Sequence, residues 1–153
     1  MSADKSPAPV SAKQKRLLRE SFVLVREYET AVIVLFYGRL FEIAPETRAL
    51  FKIDIREQSK KLEEMLRVTI DALDRFEELL PVLTELARRH VEYGVQPYQY
   101  EKLRSALLWA LGQALGLEFD RETRAAWGQL LTLISTVMLD SLAQTRPTEE
   151  SGV

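Results

Sequence analysis

Apolar residues recur at three- and four-residue steps along almost all of this 153-residue chain, while Gly and Pro number only six each. That spacing lines apolar side chains along one stripe of a helix, and so few breakers leave little material for hairpins. The pattern constrains the chain to an all-α domain with short connections.

Local signals place the helices. Ser11 can cap a first helix, with Gln14 completing a capping box, and the helix then runs through Leu17, Leu18 and Phe22 to about Tyr28. The second, from about Thr30 to Ile43, contains a β-branched AVIVLF segment that favours strand by propensity, but Phe36, Leu40 and Phe41 continue a helical stripe. Ala44-Pro45 marks a corner and one short turn ending near Phe51. The helix expected from about Ile55 to Leu73 puts Gln58, Lys61, Leu62 and Met65 on one face. Pro81 opens another that carries Leu83, Leu86, Ala87 and His90, with Gly94 as its stop. Two longer helices follow, about Pro97 to Leu115 and, with Asp120 as cap, Asp120 to Ala143. One domain over 11–145 is expected, with 1–10 and 146–153 as disordered tails.

The chain has no cysteine, which removes disulfides, thiolate metal sites, iron–sulfur clusters and cysteine nucleophiles. Twenty-one basic against 23 acidic side chains give no support to a nucleic-acid partner. Neither a Gly-x-Gly-x-x-Gly nor a P-loop pattern occurs, so flavin, NAD and nucleotide chemistry is not expected. MSADKSPAPV at the N-terminus lacks an apolar core of signal-peptide length, and the longest apolar run, Ala31 to Phe36, is too short to cross a bilayer. A soluble, cytoplasmic protein with no membrane partner is expected, large enough to bury a bulky cofactor.

His90 is the single histidine, and Leu86 lies one turn before it on the same helix face. Such a residue is open to two readings: a surface or internally satisfied structural histidine, or a metal ligand.

The surrounding segments resemble the globin family, and more narrowly bacterial single-domain globins, the neuroglobin group and the globin domains of flavohaemoglobins. APETRALF, Ala44 to Phe51, is similar to the corner where a proline opens a short helix and a phenylalanine closes it. QSKKL, Gln58 to Leu62, is similar to the distal segment, and ARRHVEYGV, Ala87 to Val95, to the proximal histidine segment. ALLWAL, Ala106 to Leu111, and AAW, Ala125 to Trp127, match the last two helices. The resemblance covers about residues 11 to 143.

It implies a globin fold, a three-on-three helical sandwich around haem b, with His90 as the proximal iron ligand and Leu86 supplying a carbonyl to its other ring nitrogen. With no second histidine, bis-histidine ligation is ruled out. Tyr37 and Gln58 are the implied distal pair, able to donate to a bound diatomic gas that carries partial negative charge. Leu62 would sit over the iron and limit access, with Phe36, Met65, Leu66 and Leu103 nearby, and Phe51 would lie flat on the cofactor. Leu86, Val95 and Tyr100 complete the implied contacts, and Lys61 and Arg89 would face the propionates. Outside the resemblance, Tyr37 reads equally as a core aromatic, Gln58 as a solvated helix residue, and Lys61 and Arg89 as ordinary surface charges.

The function implied is reversible binding of oxygen, nitric oxide or carbon monoxide. Two alternatives are nitric oxide dioxygenation with an external reductase and gas sensing through a partner protein; a haem-free regulatory module is a third, against which the complete distal set argues. Tyr100 matches the tyrosine that backs the histidine in flavohaemoglobins, but the matching glutamate position falls on about Leu142, which implies less electron push on the histidine. Trp109 and Trp127 are expected in the core, and the protein is expected to be a monomer or weak dimer.

Overall fold

The computed structural model describes residues 10–51 and 54–151, with side chains described as far as residue 143. Six α-helices carry the fold: α1 Ala12–Glu27, α2 Glu29–Ile43, α3 Ile55–Asp71, α4 Leu80–Tyr93, α5 Pro97–Leu115 and α6 Arg121–Ser151. Tight 3-10 segments at Pro45–Leu50, Leu73–Leu79 and Gly116–Glu118 join them. Among the described residues there is no strand, so the all-α expectation holds.

Most boundaries follow local chemistry. Ser11 and Gln14 form the reciprocal capping box, Oγ of Ser11 accepting from the Gln14 amide at 3.1 Å. Asp120 accepts from the Thr123 amide at 2.8 Å and starts α6. Pro81 occupies the first turn of α4, where its missing N–H leaves no bond unmade, and Gly94 ends that helix at φ 91°, a left-handed conformation that only glycine adopts freely. Residues 30–43 are helical despite their β-branched run, because the stripe of Val32, Phe36 and Leu40 is buried along one face.

Three expectations need correction. The third helix ends at Asp71, and Leu73–Leu79 forms a separate 3-10 segment with non-helical dihedrals at Arg75 (φ −133°, ψ 51°). The last helix continues past Ala143 to Ser151, into the segment expected as a tail. Trp127 is fully buried, its indole N–H donating to Oγ of Ser21 at 2.8 Å, but Trp109 is only half-buried, with the Arg39 guanidinium 5.1 Å from its ring. Residues 1–9 of the expected N-terminal tail lie outside the described residues.

The helices cross in pairs, α2 over α5, α4 over α6 and α1 over α6, and the core lies between them. Arg121–Ala143 is long and apolar enough to cross a membrane, but much of that apolar surface is turned inward, with Ala126, Trp127 and Leu130 fully buried. This packing leaves α3 and α4 facing one another across a gap closed at its base by α5 and α6.

Candidate functional site

That gap is a cavity of about 240 Å³. Its proximal wall comes from α4, whose helical spacing stacks Leu86, Arg89 and His90 on one face. Nδ1 of His90 lies 2.8 Å from the carbonyl oxygen of Leu86. A carbonyl can only accept, so Nδ1 carries the proton and Nε2 keeps its lone pair on the cavity side. Burial holds the imidazole below its usual pKa, with the Leu86 bond pulling the other way, so the neutral ligand form is favoured.

Residues of α2 and α3 supply the other wall. Tyr37 and Gln58 both line the cavity, as do Leu62, Met65 and Phe36. Tyr37 is buried in an aromatic cluster, its ring centroid 4.8 Å from Phe36 and 5.3 Å from Phe51 in an edge-on contact. Burial pushes its phenol up to about 12, the Ser59 hydroxyl working in the opposite direction, so it is an O–H donor at neutral pH. Ser59 itself donates to the Ile55 carbonyl at 2.7 Å.

All but one of the residues singled out from the sequence for the site line this cavity: Phe51, Val95, Tyr100 and Leu103 join those named above, and Lys61 and Arg89 are exposed at the rim. Leu66 does not. It is buried and turned instead to a smaller pocket behind α3. Arg89 is engaged along its own helix by Glu85, Nε to Oε2 3.2 Å, whereas Lys61 has no carboxylate partner among the described residues.

The cavity also contains residues the sequence reading missed. Gln99 is buried and reaches Glu46 at 3.4 Å, a carboxylate that also accepts from the Tyr98 hydroxyl at 3.0 Å, so the Pro45 corner is tied to the start of α5. The Gln96-x-x-Gln99 spacing, a reciprocal cap, was the available signal. Arg104 lines the cavity with Nε donating to Oγ1 of Thr132 at 2.9 Å, and Gly128 leaves it room, since a Cβ there would sit 3.3 Å from the guanidinium. Tyr100 packs beside His90, ring centroids 5.9 Å apart, and its buried hydroxyl has no hydrogen-bond partner among the described residues. No carboxylate takes that place: Leu142 is a partly buried apolar residue packed on the core.

A predominantly apolar cavity, one neutral imidazole with its second nitrogen pinned, and cations at the mouth form a donor set that fits a haem.

The Globin family model matches residues 34–138, and the chain belongs to the globin family, whose members bind haem. It is 26% identical over 137 residues to a flavohemoprotein of Halalkalibacterium halodurans, covering 88% of this chain and 33% of that protein. The chain thus spans about a third of the length of the flavohemoproteins it matches. A neuroglobin of Tetraodon nigroviridis is 29% identical, with 84% of this chain and 90% of that one covered. An engineered carbene transferase derived from a putative nitric oxide dioxygenase of Rhodothermus marinus superposes with a TM-score of 0.81 at 23% identity, covering 92% of this chain and 99% of that one, which supports the globin fold.

Proposed function

We propose that this globin holds haem b through Nε2 of His90 and reversibly binds oxygen, or another diatomic gas, on the Tyr37 and Gln58 side of the cavity. The observation that carries the reading is the pinning of His90 Nδ1 by the Leu86 carbonyl at 2.8 Å, which leaves Nε2 to a cavity shared with two hydrogen-bond donors. When bound, the haem iron would supply the coordination position at which a gas ligand is held. The chain's own residues do the rest. Leu86 fixes the tautomer and ring direction of His90. Tyr37 offers an O–H that stays protonated well above neutral pH, and Gln58 an amide N–H, to the part of the ligand that gains negative charge. Leu62, Met65 and Phe36 keep that side apolar, and Lys61 and Arg89 offer positive charge at the rim.

A second reading, nitric oxide dioxygenation with an external reductase, draws on the flavohemoprotein relatives and on Tyr100 beside His90. Against it, the Tyr100 hydroxyl has no acceptor among the described residues to relay charge onto the histidine, so reversible binding stands first.

Ultraviolet–visible spectra of the protein titrated with haem, in ferric, ferrous and oxygen-exposed forms, test the proposal beside His90→Ala. A Soret band that depends on His90 and a persistent oxygenated spectrum are expected. No Soret band with excess haem would refute the reading, and rapid oxidation on oxygen exposure would favour the second.

A further inference from the structure

The Pro45 corner brings Thr47, Leu50 and Phe51 to the main cavity, and its backbone packs chiefly on α2. What ties it to α5 is polar. Glu46 stands at the start of the corner, and one of its carboxylate oxygens, Oε2, accepts from the Tyr98 hydroxyl at 3.0 Å and from Nε2 of Gln99 at 3.4 Å. The carboxyl is held below its usual range, first by its own backbone N–H and next by the Tyr98 hydroxyl, so it is an ionised acceptor at neutral pH.

Gln99 can face Glu46 in only one sense. Its Oε1 already accepts from the Gln96 amide at 2.8 Å, which leaves Nε2 as the end turned to the carboxylate. The side chain is 4% exposed and itself lines the cavity, so losing the carboxylate strands part of a buried amide. Gln96 belongs to the turn after α4, where Val95, another cavity residue, donates its amide to the His90 carbonyl at 2.9 Å. The corner, the start of α5 and the turn beyond His90 therefore converge on one amide and one carboxylate. Thr47 adds nothing to that link, since its Oγ1 donates within the corner to the Ala44 carbonyl at 2.7 Å.

We propose that Glu46 is a positioning residue for the cofactor: its clamp on Tyr98 and Gln99 holds Leu50 and Phe51 against a bound haem and so sets how slowly the haem is lost. The effect on haem rests on the function proposed above; the clamp itself does not.

Haem transfer from the ferric protein to excess apomyoglobin, followed in the Soret band, is the first measurement. It should quicken several-fold in Glu46→Ala and in Tyr98→Phe, and the double variant should be no faster than Glu46→Ala, because both substitutions remove the same bond. Glu46→Gln keeps a carbonyl oxygen for Tyr98 and should recover much of the loss. Amide hydrogen exchange by NMR is the second measurement. Thr47 and Phe51, whose N–H groups donate to the Ala44 and Arg48 carbonyls, should exchange several-fold faster in Glu46→Ala, with Leu130 in α6 unmoved. Glu46 and Tyr98 are both exposed, so neither substitution cuts into the core. Corner exchange that is unchanged in Glu46→Ala, or quickened equally at Leu130, overturns the clamp. Corner exchange that quickens while haem transfer does not overturns the role in retention. If the purified protein takes up no haem, exchange in that protein still decides the clamp, and only the proposed function and the retention role fall.

Discussion

Tyr37→Phe separates the hydrogen-bonding role proposed for the phenol from its role in packing. The ring is held by Phe36 at 4.8 Å, Phe51 at 5.3 Å and Phe41 at 6.0 Å, and phenylalanine preserves all three contacts. Folding stability should therefore be little changed. What is removed is an O–H whose proton, by burial, is retained up to about pH 12. A hydrogen bond to a charge-bearing acceptor contributes about 1.5–3 kcal/mol, which corresponds to oxygen release faster by about 10- to 100-fold. The assay is stopped-flow displacement of oxygen from the ferrous protein by carbon monoxide. Release in the unsubstituted protein should be flat from about pH 6 to about pH 9, because an ordinary phenol ionises near 10 and this one higher still. Gln58→Leu should also speed release, and the double variant should fall short of the summed effects if both groups donate to the same ligand. Acceleration of less than about threefold in Tyr37→Phe would refute the reasoning, since that is below the smallest contribution such a bond makes.

His90 makes the haem-free protein acid-sensitive: its folded-state pKa lies below the ordinary 6.5, so as pH falls through that value the unfolded chain takes a proton that the folded one resists. Denaturant midpoints should fall over that window, and His90→Phe should flatten the dependence. Ser21→Ala strands the fully buried Trp127 N–H, now 2.8 Å from Oγ, and should cost about 1–3 kcal/mol in urea unfolding. Gly94→Ala forces a Cβ into φ 91°; the nearest side-chain atom, Leu50 Cδ2, is 3.5 Å away, so the cost is conformational, about 1–2 kcal/mol by the same measurement. Tyr100→Phe removes a buried hydroxyl that has no partner among the described residues, so its unfolding midpoint should stay level or rise, and a clear fall would show that the hydroxyl is in fact bonded.

The helices and most of the cavity wall were legible because both rest on short-range periodicity. Gln58, Lys61, Leu62 and Met65 share a face of α3 at three- and four-residue spacing, and Leu86, Arg89 and His90 share one of α4, so an amphipathic pattern lines up the wall. Caps were equally local: Ser11 with Gln14, Asp120 with Thr123, and Gly94 each act within a few residues.

What escaped depends on partners far along the chain. Gln99 is buried because Glu46 crosses over from the Pro45 corner, and Arg104 is turned inward by Thr132 and by the missing Cβ of Gly128. No window of sequence contains those pairs. The two tryptophans make the same point, for nothing local distinguishes Trp109, half-exposed under Arg39, from Trp127, which Ser21 satisfies from another helix. Tyr100 carries the argument to function. Its place beside His90 follows from the fold, but whether it can push charge onto the imidazole depends on an acceptor from the last helix, where the core residue Leu142 offers carbon and no oxygen. On the proposed reading, Tyr100, with no hydrogen-bond partner for its hydroxyl among the described residues, acts on His90 by packing against its ring.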